Sequence, residues 1–277
     1  MEQNKKKKIV LIISLIVATI TVFLCIFGVI VFLLVRSIWT KTHRPEYHVG
    51  DTIKMGKYEQ DGIFNKKEDI EWIVLSVEED RILVVSKYAL DTVQYNLESN
   101  DVTWETSFIR MWLDENIYKR AFTRKEKDRI LLVTLHNPDN SYDGAEGGND
   151  TEDHVFCLSI EEAEKYFGDY DTYIADENYG YNQKMICEPT EYAIEKSASN
   201  VPISEANYYE LYYSLNYSPD VIGVKGATWW LRDPILFYEE GYDAACTVEY
   251  DGTAGPSMGS FTVEESCSVR PAMYLKY

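Results

Sequence analysis

Residues 9–35 form an apolar run of twenty-seven residues with no charge, no proline and one glycine, directly behind the four lysines Lys5 to Lys8. A helix of that length, at about 1.5 Å of rise per residue, exceeds the ~30 Å hydrocarbon core of a bilayer. A secretory signal would have an apolar core of about 7–15 residues and a small-x-small cleavage site. Here the run ends in Leu33-Leu34-Val35-Arg36-Ser37, which offers no such site. The sequence therefore predicts an uncleaved, single-span signal anchor. Residues 1–8 read as a cytoplasmic tail, 9–35 as the transmembrane helix and 36–47 as a short polar stalk broken by Pro45. Four lysines and the amino terminus on one side outweigh Arg36, Lys41 and Arg44 on the other, which puts the N-terminus in the cytoplasm. The remainder, residues 48–277, then lies outside the cell, held to the membrane through residues 9–35.

That outer part is long enough to bury a sizeable core. Of the 27 basic and 46 acidic residues of the chain, residues 1–44 hold seven and one, leaving 20 against 45 outside, a net charge of −25. A field of this sign disfavours DNA, RNA and anionic lipid, and suits cations, basic partners or neutral glycans. Cys157, Cys187, Cys246 and Cys267 make an even set, which permits two disulfides in three connectivities. No CxxC or Cys-x-x-His spacing points to zinc.

Short β-rich runs open the outer part, at residues 51–55, 70–77 and 81–86, the last two joined by the turn Glu78-Glu79-Asp80. Phe108, Ile109, Trp112, Leu113, Ile117 and Ala121 then share one helical face, with Thr106 or Ser107 as N-cap. Thr123 with Glu126 and Ser159 with Glu162 are capping boxes, the second opening a helix to Phe167. Further helices are expected at 190–197 and 204–215. Strands are expected at 130–135 and 154–158, and again at 228–231, 244–250 and 269–275. Strands at both ends with helices between them give an α+β domain without βαβ alternation.

Several segments carry a resemblance. Asp101-Val-Thr-Trp-Glu-Thr-Ser-Phe-Ile-Arg-Met-Trp-Leu, Gly147-Gly-Asn-Asp-Thr-Glu-Asp-His-Val-Phe-Cys-Leu-Ser, Trp229-Trp-Leu-Arg-Asp-Pro and Val269-Arg-Pro-Ala-Met-Tyr-Leu match, in order and spacing, a bacterial and mostly Gram-positive domain-of-unknown-function family, number 6273. The opening Ile70-Glu-Trp-Ile-Val-Leu agrees as well, so the resemblance covers about residues 48–277. This chain departs from the family pattern at Asp233 (usually serine), Cys157 (usually leucine) and Ser268 (usually glycine). The family in turn resembles the C-type-lectin-like fold of formylglycine-generating-enzyme-like domains, which implies mixed short strands and helices but no activity.

Four features compete as functional sites. Along a strand, Trp229 and Trp230 point to opposite faces, so one is expected in the core and the other is a candidate to line a ligand groove beside Arg232. The alternative buries one ring, packs the other under a loop, and pairs Arg232 with Asp233 or Glu105. The loop from Asp139 to Asp150 has the outline of a calcium loop but has Asp150 instead of a bidentate glutamate at position 12, so Asp143, Asp150 and Asp153 are candidates for a looser calcium site. Tyr209 and Tyr213 extend a tyrosine cluster suited to sugar or protein recognition. Cys246 and Cys267, on strands that a glycine-rich turn would fold back on each other, are expected to form a disulfide.

Catalytic signatures are missing: no nucleophile elbow, no phosphate loop, no His-Glu-x-x-His. The best-supported class is a membrane-anchored extracellular binding module for a glycan, peptide or partner protein, with no cofactor required and calcium at that loop an option. A carboxylate-based cell-surface hydrolase and a structural domain of a membrane complex are the competing classes.

Overall fold

The computed structural model describes residues 2–42, 46–63, 66–168, 182, 184–199, 226–236, 243–250, 252 and 260–276. The chain divides into two units, Met1–Glu46 and Tyr47–Tyr277. The first is one helix, α1 (Glu2–Thr42), that contains the apolar stretch Ser14–Arg36, long and apolar enough to cross a membrane. Two of its hydroxyls are satisfied within the helix: Thr19 donates to the Leu15 carbonyl and Thr21 to that of Val17, each at 2.8 Å. The helix runs on to Thr42, through most of the segment read as a stalk.

The second unit is α+β. Strands β1 (Thr52–Tyr58), β2 (Glu68–Val77) and β3 (Arg81–Ser86) form an antiparallel meander, and the closing strand β11 (Ala272–Lys276) adds antiparallel to β3. The second sheet has the order β4 (Asp91–Gln94), β10 (Ser266–Val269), β7 (Trp229–Ile235), β8 (Ala244–Val248), β9 (Ser260–Thr262). It is antiparallel except where β7 meets β10 side by side in parallel. Two short connections, β3 to β4 and β10 to β11, pass from one sheet to the other, so the sheets share a corner. A two-stranded ladder, β5 (Val133–Leu135) with β6 (Thr151–Asp153), completes the β structure.

The helices follow their local signals. Ser107 caps α2 (Phe108–Trp112), accepting from the Arg110 N–H. The expected helix over 108–121 is continuous in direction but widens into a π turn at Leu113–Tyr118 before α3 (Lys119–Ala121). Both capping boxes form, Thr123 with Glu126 on α4 (Arg124–Lys127) and Ser159 with Glu162 on α5 (Ile160–Phe167). Helix α6 (Glu191–Ser199) packs on β4.

Four fully buried tryptophans anchor the core, and the indole N–H of each has an acceptor. Trp72 donates to the Met55 carbonyl (2.8 Å), Trp104 to Asp153 (3.0 Å), Trp229 to the Met185 carbonyl (3.2 Å) and Trp230 to the Val93 carbonyl (2.8 Å).

Two expectations are corrected here. Trp229 and Trp230 do face opposite sides of β7, yet both are fully buried, because this sheet is covered on each face. One ring packs under Arg270 and the other edge-on to Tyr95. Cys246 and Cys267 are not bridged to each other: β7 lies between their strands, so the two are not neighbours.

Candidate functional site

Arg232 projects from β7 into a small cavity of about 250 Å³ that also touches Glu162, Asp233 and Tyr274. Its guanidinium is fully occupied by the fold: Nε donates to Asn137 (3.1 Å), Nη1 to the Cys157 carbonyl (3.2 Å), Nη2 to the His136 carbonyl (3.4 Å), and it pairs with Glu162. Glu162 is the capping-box acid of α5, and Asp233 accepts from the Ile160 N–H at the same helix start (2.7 Å). The motif Trp229-Trp230-Leu231-Arg232-Asp233 thus bolts α5 to the central strand. Burial raises the Asp233 carboxyl to about 6, against the pull of Arg232. Arg270 is equally internal. It lies between the rings of Phe167 (5.1 Å) and Trp229 (5.0 Å) and donates to the carbonyls of Ser86 (3.1 Å) and Met185 (3.2 Å).

The three candidate calcium ligands are not brought together. Asp143 accepts from the N–H groups of Ala145 (3.0 Å) and Leu236 (2.6 Å). Asp150 pairs with His136 Nδ1 (2.7 Å), which holds its carboxyl below the ordinary range. Asp153 is buried and receives Arg110 Nε (2.7 Å), Trp104 Nε1 (3.0 Å) and Thr151 Oγ1 (2.7 Å). Tyr209 and Tyr213 lie outside the described residues.

A different region has the features of a binding site. A groove of about 1210 Å³ runs between the segment Asn96–Ser107, the start of α2, Leu132 and residues 152–155. Its floor is stiff. The Asp153–Arg110 pair is fixed by Trp104 and Thr151, and the same guanidinium donates to the carbonyls of Glu105 (3.1 Å) and Glu152 (3.4 Å). His154 stacks flat on Tyr118 at a centroid distance of 3.9 Å, and burial lowers its pKa, so it adds no positive charge at neutral pH. The walls are apolar and open. Leu97, Met111 and Leu132 are 54 %, 57 % and 52 % exposed, three of the eight large apolar side chains that stand in solvent among the described residues of the second unit. Around them stand Glu98, Asp101, Glu105, Asp114 and Glu152; Asp114 pairs with Lys119 (2.9 Å), and Arg110, the one arginine or lysine in the lining, is already neutralised by Asp153, so among the described residues the other four acids have no ion pair. At one end Asp101 meets Asp243, whose carboxyl is raised by burial first and by Asp101 second.

Leu97 and Leu132 fall in no matched segment of the sequence, and Asp101, Glu105, Met111 and Glu152 lie within matched segments that do not mark them as a site. One signal existed: Met111 falls off the apolar face shared by Phe108, Ile109 and Trp112.

Residues 79–277 match the model of a family described as a domain of unknown function, DUF6273. The chain belongs to this family. No curated protein and no solved structure matches it. Both the groove and the β7 motif fall within the DUF6273 match, which begins after the opening segment at Ile70.

Proposed function

We propose that the protein is a membrane-anchored, extracellular binding module without chemistry of its own, and that its groove holds a basic, apolar-bearing segment of a partner protein. The observation that carries this reading is the grouping of exposed Leu97, Met111 and Leu132 inside an acidic rim, of whose five carboxylates only Asp114 has an ion pair among the described residues. Exposed apolar area on a rigid floor favours side-chain docking, and the acidic rim selects a cationic partner and speeds its encounter. A glycan is the weaker occupant, since Phe108 is the one benzenoid ring in the lining and sugars bind by stacking on such faces. The lysines before the apolar helix favour the anchor with its C-terminal domain outside. The closing strand β11 returning to the opening meander is consistent with a C-type-lectin-like fold.

The test is fluorescence anisotropy of a labelled peptide alternating lysine with leucine and phenylalanine, titrated with the full chain in detergent micelles. Saturable binding that weakens steeply between 50 and 300 mM salt (about 2-fold shorter Debye length) supports the reading. Equal binding of the matching glutamate peptide, or none of either, contradicts it, and the latter favours a structural role. The second reading, a carboxylate-based hydrolase, draws on Asp101 beside the protonation-prone Asp243 at the groove end. Mass spectrometry of the same incubations separates the two: cleaved peptide would favour the hydrolase.

A further inference from the structure

The hairpin end between β1 and β2 brings Glu59, Asp61 and Glu68 together, with one ligand oxygen from each within 4.8 Å of the others. Three carboxylates so close repel one another unless a proton or a metal cation sits among them. Among the described residues none of the three has an ion pair with lysine, arginine or histidine. Glu59 is only 8 % exposed, and its Oε1 is buried with no hydrogen-bond partner; Glu68 Oε1 is buried and unpartnered in the same way. Buried carboxylate oxygens left unsatisfied are costly, so two of them converging on one point call for a ligand.

The rest of the loop is built to hold that arrangement. Asp61 Oδ1 accepts from the Ile63 N–H (2.8 Å) and Glu68 Oε2 from the Gln60 N–H (3.0 Å), which fixes both acids while leaving an oxygen of each to turn inward. Gly62 has φ +72°, and a side chain there would lie 2.6 Å from the Glu195 carboxylate, so the turn is pressed against a fourth acid from α6. The Tyr192 N–H of that helix donates to the Gln60 carbonyl (3.1 Å), tying helix and loop together.

We infer that Glu59, Asp61 and Glu68 form a binding site for a hard divalent cation, calcium in preference to magnesium, that fastens the β1–β2 loop beside α6. All the donors are oxygens, which excludes the softer metals that favour thiolate or imidazole. Carboxylates converging from an irregular loop suit the variable six- to eight-fold coordination of calcium better than the strict octahedron of magnesium. The site precedes the residues matched to DUF6273 and is separate from the groove, so it stands or falls independently of the proposed function.

The experiment is calorimetric titration of CaCl2, and separately MgCl2, into the EDTA-stripped full chain in detergent micelles, with thermal unfolding recorded in calcium and in EDTA. One saturable calcium site per chain is expected, together with a melting temperature several degrees higher in calcium. Glu68→Gln, and independently Glu59→Gln, should weaken calcium at least about tenfold. In EDTA, Glu68→Gln should melt no lower than wild type, because it relieves the repulsion, and this crossover separates a lost ligand from a damaged fold. Asp150→Asn should bind calcium as wild type does. No saturable binding by the wild-type chain, or affinity unchanged in both glutamine variants, would overturn the site. Tighter binding of magnesium than calcium would overturn the choice of ion.

Discussion

The β7 strand and the groove beside Met111 are opposites. The strand bears the most recognisable residues of the chain, Trp229, Trp230 and Arg232, and all three are buried and saturated with internal partners. The groove is walled by Leu97, Met111 and Leu132, which no motif announces as a site, and these stand in solvent among acids of which only Asp114 has an ion pair among the described residues. A distinctive motif can mark what a fold needs in order to stand. Surface with apolar area and unbalanced charge marks what remains for a partner.

The sharpest way to break this contrast is to cut the strand. Trp230→Ala removes a fully buried ring, its contact with Tyr95 and the bond to the Val93 carbonyl, and should cost about 3–5 kcal/mol in urea unfolding of the full chain. Loss of less than about 1 kcal/mol would mean that the strand is not the keystone described here.

Next in size is Asp233. Its folded carboxyl titrates near 6 and its unfolded one near ~3.9, so the native state binds the extra proton between those values. That contribution to stability is full below about pH 4 and is lost as pH rises through about 6. Asp233→Asn, which still accepts from the Ile160 N–H, should therefore match wild type at pH 4 and exceed it by on the order of 2 kcal/mol at pH 7.5. Urea midpoints at the two pH values decide it, and a variant less stable than wild type at pH 7.5 would refute the assignment.

A smaller effect is expected at Thr247, opposite Trp230 in the sheet, whose hydroxyl is buried without a partner among the described residues. Thr247→Val should leave stability unchanged or raise it by up to about 1 kcal/mol by calorimetry. The smallest change in stability is expected in the groove. Met111→Ser should stay within about 0.5 kcal/mol of wild type, yet weaken the lysine–leucine peptide roughly tenfold, about 1.4 kcal/mol of binding. Paired unfolding and anisotropy measurements check both halves of that statement.

What could be read from sequence follows from the range of the forces involved. The β2–β3 hairpin, both capping boxes and the Ser107 cap are set by residues within a few positions of one another, and all are present. The α+β class and the spanning-length helix also follow from pattern alone. The insertion of β7 between β8 and β10 did not. It rests on a parallel pairing of Trp229 with Ser268, and the glycine-rich turn suggested a plain hairpin instead. The pairing of Arg232 with Glu162 was hidden for the same reason, since seventy positions separate them. The groove draws on segments near 97, 111, 132 and 153, so no local pattern could assemble it.

The central claim is that a cationic partner segment docks between Leu97, Met111 and Leu132. It is tested most directly by placing a benzophenone photo-cross-linker on the lysine–leucine peptide, irradiating it with the full chain, and mapping the attachment sites by mass spectrometry. The account predicts adducts on Leu97, Met111 or Leu132 that disappear with excess unlabelled peptide. Competable adducts confined to other faces of the molecule, with none on those three residues, would contradict it.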